Sequence, residues 1–206
     1  MTGSERTRLA AAQRRLIETA ATTDAPEDEL AKAAAALDDI TDWFTAFPPR
    51  PSKHPEMPDL DELPTFFQDD PISGRNNPLA PPVEITFGDS SAVGIVTFNR
   101  SYEGAPGFVH GGAIAAVFDQ VLGMANLATG HPGMTGTLTI RYLNATPIEQ
   151  EIRFEASAGD REGRKSFVTG RALVGGTVTA EAEGTFIIPS RKRATEMFLG
   201  GAAPGG

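Results

Sequence analysis

The feature that most constrains the fold is a long apolar segment, PGFVHGGAIAAVFDQVLGMAN, which runs from Pro106 to Asn126. A glycine pair, Gly111 and Gly112, opens a continuous helical pattern that carries a single charged residue, Asp119. A helix that is apolar nearly all round is buried in a domain core, whereas a surface helix has a polar face. The rest of the chain must therefore supply elements that surround this helix.

Strand patterns supply those elements. Two short strand-like runs flank a Gly-Asp-Ser-Ser turn after Val83, and four longer runs follow the helix: TGTLTIRYLNA, IEQEIRFEASAG, RKSFVTGRALV and TVTAEAEGTFII. Apolar and polar residues alternate along them, as half-buried strands require. Turn residues at Ala145-Thr146-Pro147, Gly159-Asp160 and Gly175-Gly176 predict short connections and an antiparallel meander of the four strands. The pattern predicts an α+β fold, a curved antiparallel sheet wrapped around one central helix.

Composition divides the 206 residues into four parts. Residues 1–47 predict an extension of two helices, one over residues 5–20 and one that starts at Pro26. Residues 48–82 contain ten prolines and predict an irregular connector that wraps over the core or is partly disordered. Residues 83–190 hold the sheet and the central helix, and residues 191–206 predict a flexible tail. The extension could cap a substrate entrance, mediate assembly or dock another protein.

Charge and residue content exclude several classes of function. The net charge is −9, with 8 Lys and Arg against 15 Asp and Glu in residues 1–82 and 10 against 12 in residues 83–206. An acidic balance disfavours general nucleic-acid binding. The chain has no cysteine and three scattered histidines, so we expect no metal site. The N-terminus lacks an apolar signal region and no apolar run is long enough for a membrane span, so we expect a cytoplasmic protein.

The glycine pair and the aspartate are candidates for catalysis. The first N–H groups of a helix have no intrahelical partner, and glycines leave the approach to them open to an oxyanion. The alternative is that Gly111 and Gly112 only permit a tight turn. Asp119 lies among apolar residues, where an unpaired carboxylate costs several kcal/mol, so it is paired, exposed at a rim or kept for function. His110 could be a general base, although we favour a role in holding the loop.

The spacing of these candidates predicts a dimer. Asp119 lies eight residues after Gly111, about 12 Å along a helix axis. One small reacting group cannot touch both, so two helices must contribute. A symmetric dimer with antiparallel helices places the glycine end of one beside Asp119 of the other. We expect Ala113, Ala116, Gly123 and Ala125 to let the two helices approach closely.

At this point the residues His110-Gly111-Gly112 and Asp119 form the pattern H-G-G-x6-D, which resembles the hotdog-fold acyl-CoA thioesterases. The preceding EGAPGFVHGG looks most like the thioesterase superfamily member 4-type branch, and TGTLTIRYLNATPI resembles the strand that follows the central helix there. The resemblance covers residues 78–188 approximately.

The resemblance implies a thioester hydrolase of the hotdog fold that acts as a dimer or a dimer of dimers. It implies that Gly111 and Gly112 polarise the thioester carbonyl, and that Asp119 of the partner subunit is the general base or nucleophile. Thr135 would orient the water or the carboxylate. No cofactor is implied, because coenzyme A is part of the acyl-CoA substrate. A related branch that acts on phenylacetyl-CoA often carries an asparagine before the motif, where this chain has PGFV, so a medium- or long-chain fatty-acyl substrate is preferred.

Two alternatives and one open assignment remain. The protein could be a non-catalytic acyl-CoA-binding hotdog protein, or a hotdog hydratase or dehydratase that relies on a histidine. Two basic clusters could meet the phosphates of coenzyme A or be solvated turns: Arg161, Arg164 and Lys165, and Arg191, Lys192 and Arg193. The chain length of the acyl group depends on how residues 48–82 line the pocket.

Overall fold

The computed structural model describes residues 4–50 and 66–190. Three helices are found there: α1 (Glu5–Thr22), α2 (Glu27–Thr45) and α3 (Gly111–Ala128). Six strands accompany them: β1 (Glu84–Phe87), β2 (Ser91–Thr97), β3 (Met134–Tyr142), β4 (Glu151–Glu162), β5 (Lys165–Val174) and β6 (Thr177–Ile187). Short 3₁₀ turns lie at Phe67–Asp69 and Arg100–Tyr102.

The six strands form one antiparallel sheet in the order β1-β2-β4-β5-β6-β3. The curved sheet contacts α3 with every strand, so the predicted wrapped-helix architecture is confirmed. The predicted four-strand meander is wrong in one respect, because β3 pairs with β6 at the sheet edge and does not pair with β4. The connection from β3 to β4 carries no tight hairpin turn and crosses to the other side of the β4–β5–β6 meander.

The turns between β4, β5 and β6 are set by glycine. Gly175 and Gly176 have φ of 55° and 85°, the left-handed values that the predicted hairpin turn needs. The turn predicted at Gly159-Asp160 is wrong, because β4 continues through it and the chain reverses at Gly163, which has φ of 58°. A bulge between Ala158 and Arg161 absorbs the irregularity within the strand pairing.

The core forms between α3 and the concave face of the sheet. The buried residues of α3 are Ile114, Val117, Phe118, Val121, Leu122, Met124, Ala125 and Asn126. Phe118 packs edge-on against Phe154 of β4, with ring centroids 5.0 Å apart. Within the described ranges α3 is also the one helix whose length and composition would suit a membrane span. Its packing inside the sheet accounts for that apolar character.

The helix α1 docks on the body of the fold, whereas α2 buries no residue. Ala10 of α1 is fully buried, and Arg14 donates hydrogen bonds to the backbone carbonyls of Asn77 and Arg75. Burial lowers the pKa of the Arg14 guanidinium and raises that of the neighbouring Tyr102 phenol. Residues 75–77, in the second half of the proline-rich stretch, therefore contact α1.

Candidate active site

The N-terminus of α3 is held by two side chains. His110 is the N-cap, and its Nδ1 accepts a hydrogen bond from the Gly112 N–H at 3.0 Å. The ring therefore holds the helix start, and one of the two candidate N–H donors is already occupied. The Gly111 N–H has no acceptor among the described residues, so it is the donor that remains available.

Tyr142 is the second of these side chains, and sequence reasoning missed it. Its hydroxyl, at the end of β3, donates to the Gly111 carbonyl oxygen at 2.8 Å. A Cβ on residue 111 would lie 3.2 Å from that hydroxyl, so the close contact depends on glycine. In the sequence, Tyr142 is only an apolar position of an alternating strand. Its hydrogen-bond partner, Gly111, lies 31 positions earlier.

The second half of the site is a carboxylate–hydroxyl pair. Thr135, near the start of β3, donates from its Oγ1 to Oδ1 of Asp119 at 2.7 Å. Both residues are exposed in the single chain. The structure thus brings Asp119 and Thr135 together. The second carboxylate oxygen has no hydrogen-bond partner among the residues that the structure describes.

A β-bulge aims Thr135 at Asp119. Leu138, Ile140 and Tyr142 share the face of β3 that meets α3, and strict alternation would turn residue 135 to the opposite face. The pairing with β6 skips one residue, because Thr135 lies opposite Phe186 and Thr137 lies opposite Thr185. The extra residue, Gly136, restores Thr135 to the helix side.

A cavity of about 470 Å³ opens beside this pair. Asp119, Gln120 and Thr135 form its polar end, and its apolar lining includes Phe67, Met124, Leu127, Met134 and Phe186. A pocket of this size and apolar character suits a small organic ligand with one polar reacting group. Phe67 comes from the stretch that the sequence assigned to the connector, so that stretch does line the pocket.

The two halves of the site lie at different places along α3. His110, Gly111 and Gly112 are at its N-terminus, and Asp119 is two turns further on, about 12 Å along the axis. A separate depression of about 470 Å³ lies beside Gly111 and Tyr142. One chain alone therefore does not place the available N–H and the carboxylate on one reacting atom.

A stripe of α3 is left uncovered by the sheet. Gly112 and Asp119 are exposed, and Ala116 and Gly123 are half-buried, at helical spacing along one face. Ala113 is also half-buried, but Ala125 is fully buried in the core. The expectation that Ala125 permits the approach of a second helix is therefore wrong, because its side chain faces the sheet. Beside the stripe, β3 is the edge strand, with Met134 and Tyr142 both about half exposed.

The remaining candidates contribute little to this region. Arg161, Arg164 and Lys165 lie around the exposed β4–β5 hairpin, and Arg191, Lys192 and Arg193 lie outside the described residues. No group of three His, Asp or Glu side chains with metal-binding geometry occurs in residues 4–50 and 66–190.

Known proteins match this chain in sequence and in fold. A sequence model described as the thioesterase superfamily matches residues 106–181. The acyl-coenzyme A thioesterase THEM4 of Mus musculus is 37% identical over 87 residues, which are 41% of this chain and 37% of that relative. The chain thus matches little more than a third of the length of that curated relative.

Solved structures extend the match. The crystal structure of a thioesterase superfamily protein is 31% identical, with a TM-score of 0.78, over 90% of this chain and 96% of that one. A thioesterase protein from Streptococcus pneumoniae, solved with coenzyme A, shares the fold at 20% identity and a TM-score of 0.50, over 52% of this chain and 89% of that one. On the strength of the structural relative that matches 90% of this chain and of the family match, this chain belongs to the thioesterase superfamily.

Proposed function

We propose that the protein is a thioester hydrolase that converts acyl-coenzyme A to a free carboxylic acid and coenzyme A. The observation that carries the proposal is the Asp119 carboxylate, held by Thr135 at the polar end of an otherwise apolar cavity. A positioned carboxylate that can take a proton from water is what hydrolysis of an activated acyl group requires. The acyl-CoA thioesterase relatives and the coenzyme A bound to the Streptococcus pneumoniae protein support this choice of substrate.

In the proposed reaction a water molecule attacks the thioester carbonyl carbon and gives its proton to Asp119. The carbonyl oxygen becomes an oxyanion and accepts a hydrogen bond from the Gly111 N–H at the positive end of α3. The carbon–sulfur bond then breaks, and the coenzyme A thiolate leaves and takes up the proton. A direct attack by Asp119 followed by hydrolysis of the anhydride would use the same two groups.

The two groups are supplied by two subunits in this proposal. Within one chain they are separated by two helical turns, so Asp119 of one subunit would work with Gly111 of another. The uncovered stripe of α3 and the free edge of β3 are the surfaces that a second copy would cover. Small residues on that stripe allow an antiparallel helix to approach closely, and a two-fold axis then forms two equivalent sites.

The acyl group is proposed to be a medium- or long-chain fatty acyl group. The cavity beside Asp119 extends along α3 past Met124 to Leu127 and is lined mostly by apolar side chains. Among the described lining residues, no polar side chain lies at the end of the cavity away from Asp119 to bind a polar substituent on an aromatic ring. A flexible alkyl chain fits these walls.

Two other functions have less support. A hydratase or dehydratase of this fold relies on a histidine paired with an acid, but His110 caps the helix and contacts no carboxylate among the described residues. A binding protein without activity would have no use for a carboxylate oriented by a threonine. Replacing His110 with alanine tests the first alternative, because loss of activity there together with tolerance of Asp119→Asn would favour it.

The test is a thiol-release assay with saturated acyl-CoA substrates of increasing chain length. Asp119→Asn is expected to lower kcat by about 10²–10⁴ and leave the oligomer folded. Thr135→Ala is expected to cause a smaller loss, since it removes the orienting donor and keeps the carboxylate. Unchanged turnover of the best substrate by the Asn variant would refute the role of Asp119, and a wild type that releases no thiol would refute the activity.

A further inference from the structure

The cavity beside Asp119 is lined in part by an aromatic ring from the segment that precedes the sheet. Phe67 lies in the 3₁₀ turn Phe67–Asp69, is half-buried and packs against the core. It lines the apolar part of the cavity, whereas Asp119 and Thr135 lie at the polar end. An acyl chain whose thioester is at Asp119 therefore extends toward Phe67.

A second cavity, of about 440 Å³, lies on the other side of the same wall. Val83, Ile85 and Phe87 contribute apolar surface to it from β1 and the residue before that strand, and the polar part of its lining comes from Gln68, Ser73, Arg75, Glu84 and Thr86. Phe67 and Met124 line both cavities, so these two side chains separate them. Met124 belongs to α3 and is buried, with 4% of its surface exposed, whereas Phe67 comes from a separate segment that precedes the sheet.

We propose that Phe67 is the specificity-determining residue that ends the acyl pocket and sets the longest chain that binds well. This inference rests on the proposed acyl-CoA substrate. It assigns the length limit to a segment that precedes the sheet, so that the hotdog body alone would accept longer chains. Removing the ring takes away the part of the shared wall that does not belong to α3, and Met124 remains.

The backbone around Phe67 is held firmly enough to act as a wall. Asp70 accepts hydrogen bonds from the N–H groups of Ile72 and Ser73, and the Gly74 N–H bonds back to the Asp70 carbonyl. A Cβ on Gly74 would lie 2.4 Å from the backbone N and O of Asp70, so this tight turn requires glycine. Gln120, next to Asp119 on α3, donates to Ser73 Oγ at 2.9 Å and ties the turn to the catalytic helix.

The N-terminal helix braces the same segment from outside. Thr7 of α1 donates to the Asn76 side chain at 2.8 Å, and Arg14 donates to the Asn77 carbonyl at 2.8 Å. Asn76 and Asn77 in turn bond to Gln68 and Asp69, the residues that follow Phe67. The position of the ring thus depends on α1, which gives the N-terminal extension a part in substrate selection.

The inference is tested by binding, so that it does not depend on turnover. Non-hydrolysable alkyl-CoA thioethers with octyl, dodecyl and hexadecyl chains are titrated by calorimetry into the full chain. Each further buried methylene strengthens binding about threefold to fourfold. We expect Phe67→Ala to lower the ratio of the hexadecyl-CoA to the octyl-CoA dissociation constant by at least about tenfold. Phe67→Trp is expected to raise the same ratio.

Phe66→Ala is the matched control. The Phe66 ring packs edge-on against Phe67, with centroids 5.1 Å apart, but it lines neither cavity. Its removal is expected to leave the ratio of dissociation constants unchanged. If Phe67→Ala does not fold, as judged by circular dichroism, Phe67→Leu replaces it and must move the ratio in the same direction.

The outcomes separate the two proposals. A ratio that stays constant across the Phe67 variants, or that moves equally with Phe66→Ala, overturns the inference. Failure of the wild type to bind any thioether overturns it as well. A wild type that binds the series with the expected Phe67 dependence but hydrolyses no acyl-CoA refutes the proposed activity and supports the inference.

Discussion

Replacing Gly111 with proline removes one N–H group and adds a Cβ beside the Tyr142 hydroxyl. Gly111 is the first residue of α3, where proline is well accepted because that N–H makes no intrahelical bond. The preceding residue, His110, has φ of −60° and ψ of 132°, the extended conformation that a residue before proline requires. The His110 cap on Gly112 is untouched, so the variant isolates the proposed oxyanion donor.

The magnitude follows from the loss of that donor. Removing one preorganised donor from an oxyanion site lowers kcat by about 10²–10³. Gly111→Ala is the control, because both variants place a Cβ 3.2 Å from the Tyr142 hydroxyl and alanine keeps the N–H. The ratio of kcat between the alanine and proline variants therefore measures the contribution of the N–H donor. The loss of kcat in the alanine variant measures the effect of displacing Tyr142.

The same variant shows whether two subunits share a site. Gly111→Pro retains Asp119, and Asp119→Asn retains the Gly111 N–H, so a mixed dimer contains one complete site. Random assortment makes half of the dimers mixed, each with one of two sites complete, and activity should recover to about one quarter of the wild-type value. The assay is thiol release after co-expression of the two variants with different affinity tags.

Two results would refute this reasoning. Equal kcat values for the proline and alanine variants would show that the N–H does not stabilise the oxyanion. Mixed dimers that are no more active than the average of the two parents would show that each chain uses its own groups or that another donor is involved.

The remaining predictions concern other parts of the fold. Deletion of Gly136 should turn Thr135 away from Asp119 and lower kcat at least as much as Thr135→Ala, with an unchanged far-ultraviolet circular dichroism spectrum. Gly74→Ala should destabilise the protein by about 1–3 kcal/mol in thermal denaturation, because its Cβ meets the Asp70 backbone. Hydrogen bonds from Arg153 and Arg171 lower the pKa of Glu155 in the folded state. These bonds therefore stabilise the folded protein fully at a pH above 4.5, the ordinary pKa of a glutamate. The stabilisation is lost as the pH falls through the lower pKa of the folded state. The small stability difference between wild type and Glu155→Gln should accordingly narrow in acid and in high salt.

Local pattern was sufficient for the central helix and for the existence of each strand. The apolar run and the glycine pair predicted both the burial of α3 and its start, because these depend on neighbouring residues alone. The edge position of β3 was not predictable in this way, since the order of strands depends on which edges remain free after the sheet forms. The turn predicted at Gly159-Asp160 does not form, because the pairing of β4 with β5 continues past these residues.

The site was predictable to a lesser degree. Asp119 stood out as a lone charge, and an isolated glycine inside a strand pattern, Gly136, is the signal that could have revealed the bulge. Tyr142 and Phe67 carried no such signal. Both contact parts of the chain that are distant in the sequence. In the sequence alone, such an aromatic residue indicates only a core position.

The position of Asp119 explains how an apolar helix tolerates a carboxylate. The residue lies on the stripe that the sheet leaves uncovered, so in the single chain its carboxylate is exposed to water. A second subunit that covers the stripe removes that water, at a cost of several kcal/mol for an unpaired charge. The Thr135 hydroxyl offsets part of this cost with a hydrogen bond to one oxygen, while the other oxygen still needs a partner. In the proposed dimer the attacking water is that partner. Dimer formation therefore both completes the site and leads the carboxylate to bind the water molecule that attacks the thioester.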